Sequence, residues 1–514
     1  MPISRAVPQS ARFRFLAKLA MAAILLALSD AVFFGYRGGS VMGAFALVWL
    51  LCVAVSQPSA RRSRAGRIGI AAAFLYALVL ILDPGVLAVL LFLTAIGSVA
   101  LLARHDFDHA GYWFVRLCIL AALAPFRVAI DLAHAMRLLP RDGTRTRSIA
   151  LHVAMPFAGG AIFLLLFASA NPVIGDVFAA AMPDMELFVL HGVLLLVTLC
   201  LVWPSLRPRT VRMSERMRLS RDAAFDAPVT AMLLTLGVFN AVFMVENTLD
   251  LVFLWSGAAL PDGVTLADYA HRGAYTLILT ALLAGGFVLF ALRPGSPAAA
   301  NGGVRALLLA FVAQNILLVA SSMLRLVDYI EAYSLTVLRI AALAWMVSVA
   351  IGLVLICWRL MAGRSAGWLI NANALVLMGM LSLFGIVDAG AVAAAWNVRH
   401  ARDGNALDLC YLESLGTSSL IPLIELRIAS VSPVTQDRAA QLSERIHADL
   451  RASQSHWQGW SVTGARRLEK ADRMLRDAPK SPGRKWDGRA CDGAPMASDA
   501  SAARGEGLTG VKKP

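Results

Sequence analysis

Near-continuous apolar runs of about 17 to 25 residues recur along this chain, the length at which an α-helix crosses the hydrocarbon of a bilayer. Lipid offers the backbone no water, so each run must satisfy its own N–H and C=O groups, which a helix does. The runs are Leu16–Tyr36, Val41–Val55, Ile68–Leu82, Val86–Ala103, Ile149–Ala168, Leu187–Trp203, Val229–Phe253, Ala274–Leu292, Ala306–Leu326, Val337–Arg359 and Trp368–Trp396. Composition agrees: 58% of residues are hydrophobic, 16% are charged and the mean hydropathy is +0.67. Soluble domains carry roughly 25% charged residues, so a soluble protein is excluded. The expected fold is all-α: a polytopic transmembrane helix bundle of about eleven spans, with an interfacial helix and a short helical plus disordered C-terminal tail.

The net charge of +14 raises nucleic acid as a partner, but the basic residues fall in short clusters between apolar runs. They read as topology signals, since cytoplasmic loops retain Arg and Lys. Ser59–Arg67, Arg141–Arg147 and Arg207–Arg221 all fall on one side, whereas Asn171–Glu186, Ser256–Gly273 and Val327–Thr336 are acidic or nearly free of Arg. This predicts a bacterial inner-membrane protein with a cytoplasmic N-terminus and, after an odd number of spans, a periplasmic tail. The N-terminal stretch also has the make-up of a signal peptide, but Leu16–Tyr36 exceeds a signal core and no small-x-small site follows, so an uncleaved span is expected. Cys52, Cys200 and Cys357 lie in apolar runs and Cys118 in a semi-apolar one, which leaves Cys410 and Cys491 as the two able to pair.

Four regions are expected: 1–148, with about four spans and an amphipathic helix; 149–396, with about seven; 397–478, a small helical tail; and 479–514, Gly-, Pro-, Ala- and Ser-rich and disordered. In the first, Arg127, Asp131 and His134 share one helical face of an otherwise apolar segment, the pattern of a helix lying on the cytoplasmic surface. In the tail, Leu442, Ile446 and Leu450 form an apolar stripe.

The stretches "PDGVTLADYAHRGAY", "SSMLRLVDYIEAYSLTVLRIAAL", "WLINANAL" and "AAWNVRHAR" resemble a bacterial membrane family, domain of unknown function four-one-seven-three, related to the broader four-one-five-three group. The likeness covers Ile149 to Gly416. It implies an integral membrane protein and carries no catalytic residue over.

Polar residues inside apolar runs supply the candidate site, because they normally face a bundle interior or water. In the seventh run Asn240 and Asn247 are seven apart and Glu246 and Asp250 four apart, each pair sharing a face. Two acids on one face favour a shared proton. Glu246, the deepest acid, is expected to lie buried against Asn240, Asn247 or polar groups of neighbouring spans. Gln314 and Arg325, three turns apart, share a stripe with Asn315 beside it, and the expected partner of Arg325 is Asp328 or an outer acid. Arg339 with Asn371, Asn373 and Asp388 completes a polar lining or, as the alternative, a set of interhelical hydrogen bonds. On the outer side, Asp268, Tyr269, His271, Arg272 and Tyr275, together with Asp328, Glu331 and Arg339, form either a docking segment held by Arg272 or a vestibule in which His271 titrates near neutral pH.

Other motifs fail on context. "GRSAG" fits G-x-S-x-G but follows no strand. His105 and His109 of "HDFDH" lack a third ligand, and neither a P-loop nor H-E-x-x-H occurs. No catalytic, cofactor or metal residue is assigned. Three functions remain: a permease-like protein for a small solute or ion; a non-transporting sensor or assembly partner whose tail meets another envelope protein; and a membrane enzyme acting on lipid-linked substrates. The bilayer is the one certain partner, and nucleic acid is not expected.

Overall fold

The computed structural model describes residues 9–35, 38–138, 185–209, 228–255, 300–401, 407–429 and 433–477, with a few single positions between. All regular structure among them is helical. Contacts divide the chain into two compact units, the first mainly residues 1–108 and 112–213, the second mainly 214–456 and 460–514 with His109–Gly111.

The first unit contains α1 (Gln9–Phe33), α2 (Val41–Ser56), α3 (Pro58–Arg62), α4 (Arg64–Leu82), α5 (Val86–Leu102), α6 (Ala110–Ala122), α7 (Ala124–Leu138) and α8 (Met185–Leu206). Small residues let its backbones approach. Ala73 and Ala77, one turn apart on α4, are fully buried, and a Cβ on Gly43 of α2 would lie 2.5 Å from the Ile81 nitrogen. Such close approach is how helices associate where lipid removes the hydrophobic drive. Leu25, Trp49, Val53 and Phe92 fill the core, and Trp49 Nε1 donates to Ser205 Oγ at 2.8 Å.

Helix ends gather at one end of this unit. The Leu206 carbonyl, left open where α8 stops, accepts from Lys18 Nζ at 2.7 Å and Gln57 Nε2 at 2.8 Å, and Ser59 Oγ donates to the Ala103 carbonyl at 3.0 Å. That end carries Arg14, Lys18, Arg61, Arg62, Arg64, Arg104 and Arg207. Asp30 and Asp83 lie at the far ends of α1 and α4, and His191 Nδ1 is 2.6 Å from Asp30 Oδ1.

The second unit contains α9 (Val229–Asp250), running into a π-helical turn (Leu251–Trp255), then α10 (Gly302–Tyr333), α11 (Val337–Met361), α12 (Ala366–Ile386), α13 (Ala389–Ala401), α14 (Leu409–Ser414), a 3₁₀ turn (Gly416–Ser419), α15 (Leu420–Ala429), α16 (Pro433–Gln454) and α17 (Val462–Asp477). Leu236, Leu308, Val312, Leu353 and Leu369 pack α9 to α12 together. A separate core of Val398, Leu412, Leu423, Ile424, Leu442, Ile446 and Leu450 builds a helical module from α13 to α17, and it buries the stripe expected in the tail.

Among the described residues seven helices are long and apolar enough to span, or eight if the bent pair α6 and α7 counts as one. The chain is a multi-pass membrane protein whose apolar helices contact the lipid bilayer. Two further expected spans, α2 and α5, form apolar helices of 16 and 17 residues. Ile149–Ala168 and Ala274–Leu292 lie almost wholly outside the described residues, as do 478–514.

Two expectations change. The run Trp368–Trp396 is two helices, because Asp388 stops one and starts the next: its Oδ1 accepts from Ala391 N at 2.9 Å as an N-cap. The amphipathic segment bends by 55° at Leu123, beside Pro125, which has no N–H to continue the ladder. Its polar residues face protein: Asp131 is only 2% and Arg127 6% exposed, whereas Phe126 and Ile130 are exposed. An amphipathic pattern marks two faces without saying which is covered.

Candidate functional site

Helices α9 and α10 meet along a line of polar side chains. Asn240 Nδ2 donates to the Leu307 carbonyl at 2.9 Å, and Gln314 Nε2 returns a bond to Asn240 Oδ1 at 2.8 Å. Two turns on, Asn247 Nδ2 donates to the Gln314 carbonyl at 3.3 Å, and Trp255 Nε1 reaches Ser321 Oγ at 3.1 Å. Between these lies an ion pair in which Arg325 Nη2 donates to Asp250 Oδ1. Asp250 is 1% and Arg325 8% exposed. Arg325 stands eight residues before Tyr333, the last residue of α10, hence about 12 Å along the axis from that end. A charge buried on an apolar helix is costly unless paired, and this one is paired across helices.

Glu246 departs from expectation. It is 47% exposed, with Oε1 3.9 Å from Arg325 Nη2. The cause is angular: at about 100° per residue, Asn240, Asn247 and Asp250 fall within about 80° of one another, while Glu246 sits about 40° beyond Asp250. It therefore borders the seam, and Asp250 is the buried acid. Arg325 likewise reaches across to Asp250 rather than along its own helix to Asp328, which is half-buried. Asn315 is buried and donates to the Phe311 carbonyl at 2.7 Å, within its own helix.

The remaining candidates divide among other tasks. Asn373 Nδ2 donates to Leu369 O at 2.9 Å, its Oδ1 lying 2.7 Å from where a Cβ on Gly352 would stand, so it fits a glycine notch between α11 and α12. Asn371 Oδ1 accepts from Ala110 N at 2.8 Å, in the short stretch that belongs to this unit. Arg339 Nη1 donates to the Tyr333 carbonyl at 2.7 Å and to that of Ser334, with its guanidinium 4.3 Å from the centre of the Tyr329 ring. It clasps the α10–α11 turn. Glu331 is exposed on the same end. Asp268, Tyr269, His271, Arg272 and Tyr275 lie outside the described residues.

Asp388 works in the tail module: Ser418 Oγ donates to its Oδ2 at 2.9 Å, and Arg467 of α17 pairs with the same oxygen. The module also grips the α10–α11 turn. Asn397 accepts from Leu335 N at 2.7 Å and donates to Leu335 O at 2.9 Å, and Tyr411 Oη accepts from Val337 N at 2.8 Å. Asn397, Tyr411, Ser418 and Arg467 were not singled out from the sequence; the one signal there is the acid before small residues in "VDAGAV", a helix start.

Among the described residues no group of three His, Cys, Asp or Glu side chains is placed to hold a metal. Cys410 is disulfide-bonded, and Cys52, Cys118, Cys200 and Cys357 are free thiols; Cys491 lies outside the described residues.

No curated protein and no solved structure matches the chain. A family model does, described as "Domain of unknown function (DUF4153)", over residues 69–426. The match begins within α4, well before Ile149, and it shows the broader four-one-five-three group to which the motifs were related. With most of both units inside that match, the chain belongs to the DUF4153 family.

Proposed function

We propose that the chain is a permease-like protein of the bacterial inner membrane for a small solute or ion, with the carboxylates around Arg325 as its proton- or cation-linked group. One observation carries the reading. The guanidinium of Arg325 on α10 faces two carboxylates of α9, one buried and one accessible. Carboxylates gathered along one polar helix interface are groups on which a proton or a cation can be held where water is scarce. Asn240, Asn247 and Gln314 continue the polar line toward the other end of the same helices.

The proposed topology has about eleven spans, counting α2, α5, Ile149–Ala168 and Ala274–Leu292, with the N-terminus cytoplasmic and the tail beyond Asn397 periplasmic. The basic end of the first unit supports it. In the second unit, Arg305, Arg359 and Arg364 cluster at the end opposite the tail module, Arg305 bonding to the Leu360 carbonyl. A disulfide at Cys410 suits an oxidising compartment.

The test is proton uptake into proteoliposomes under an imposed pH gradient, comparing wild type with Glu246→Gln and Asp250→Asn. The proposal expects a protein-dependent flux that both variants lose while remaining folded. Absence of flux under sodium, potassium and proton gradients alike would favour a second reading, an envelope assembly partner. That reading is supported by the folded tail module clasping the α10–α11 turn through Asn397 and Tyr411.

A further inference from the structure

Asp131 on α7 is shared by more positive charge than it can balance. Trp203 Nε1 donates to its Oδ2 at 3.0 Å, Arg207 Nη1 stands 3.0 Å from its Oδ1, and Arg209 pairs with that same oxygen. Arg127, one turn earlier on α7, also senses the charges of Asp131 and Arg209. Two guanidiniums thus pair with one carboxylate, with a third one turn away on the same helix. Lys18 extends the field, since Arg104, Arg207 and Arg14 all act on it electrostatically.

Arg127 gives the cluster a direction. Its side chain is 94% buried, and its Nη1 has no hydrogen-bond partner among the described residues. A buried guanidinium nitrogen without an acceptor is expensive, and a phosphate oxygen is the acceptor whose geometry and charge a guanidinium matches best. The surroundings are those of a membrane surface. Lys18 lies in the first half of spanning helix α1 and Leu206 at the end of α8, and Phe13 of α1 and Phe126 and Ile130 of α7 are exposed, placed to meet acyl chains. The electronegative carbonyl at the end of α8 is already engaged by Lys18 and Gln57, so it does not repel an anion.

We infer that this end of the first unit is a binding site for the phosphate of an anionic phospholipid headgroup, held by Arg127, Arg207, Arg209 and Lys18. The inference is independent of the α9–α10 seam. Free phosphate shares the chemistry, and the headgroup is favoured by the apolar residues flanking the cations.

The experiment uses the purified full chain in a neutral detergent and fluorescently labelled phosphatidylglycerol, with phosphatidylcholine and inorganic phosphate as competitors. Losing one charge-assisted hydrogen bond weakens binding about tenfold, so Arg127→Gln and Arg209→Gln should each do so. Arg364→Gln, a basic residue of the second unit, should leave binding unchanged. Arg209 is partly exposed, so its variant keeps the test alive if Arg127→Gln fails to fold. Phosphatidylcholine should compete poorly, and inorganic phosphate only in large excess. Equal binding by wild type, Arg209→Gln and Arg364→Gln would overturn the site. Competition by inorganic phosphate as effective as that of unlabelled phosphatidylglycerol would overturn the lipid as its source.

Discussion

Among the described residues each unit buries an acid against arginine, in different arrangements. In the first, Arg207 and Arg209 converge on Asp131; in the second, Asp250 and Glu246 both face Arg325. The difference follows from location. Asp131 sits by the helix ends where Arg14, Arg104 and Arg207 collect, within reach of headgroups, so a positive excess can be met by anions from outside. Arg325 sits eight residues before the end of α10, and its charge is met by a neighbouring helix.

The comparison breaks most readily at Arg325. Arg325→Leu strands Asp250 in the α9–α10 interface and should cost about 3–5 kcal/mol, whereas the pair replacement Asp250→Asn with Arg325→Gln should cost distinctly less. Thermal unfolding in detergent reads both, and equal losses would mean the two charges do not depend on each other. Asp131→Asn should cost less than Arg325→Leu, about 2 kcal/mol, because Arg207 and Arg209 can turn toward water. If the cost matched that at Arg325, the first cluster would be as closed as the second. Smaller again is Glu246→Gln: an exposed carboxylate at 3.9 Å contributes about 0.5 kcal/mol or less to stability, so any marked loss on melting would place it inside the seam after all. The finest discriminator is pH. Burial, then the charge of Arg116, pushes His105 below the ordinary histidine range, with Asp108 opposing. A lowered histidine means that the folded state resists protonation. Stability should therefore be full above about pH 6.5 and decline as acidification passes the folded value, and His105→Gln should flatten that decline in pH-dependent melting curves.

The seven or eight spans among the described residues were legible because apolar length is a one-dimensional property, and the seam was partly legible because Asn240 and Asn247, or Gln314 and Arg325, recur on helical turns. What failed was everything that depends on a partner's direction. Glu246 and Asp250 are indistinguishable by spacing, yet the small angle between them takes one out of the interface. Asp388 reads as intramembrane by hydropathy, which registers no cap and no distant Arg467. The arginines at 207 and 209 read as topology signals, and only the fold shows that they converge on Asp131. The family resemblance reached the broader group that the family model shows, and it began later in the chain than the match does.

One small joint has a consequence for how the protein is made. Ser334 ends α10 at φ +74° and ψ 163°, a backbone region that belongs almost entirely to glycine, and the next residue, Leu335, is buried. Both of its peptide groups are satisfied by the carboxamide of Asn397, 62 positions later in the chain. While α11 and α12 are still being threaded into the bilayer, the partners that hold this turn have not been made, and its peptide groups must be satisfied by water. The α10–α11 hairpin thus reaches its final bonding only after α13 and α14, which carry Asn397 and Tyr411, have been synthesised.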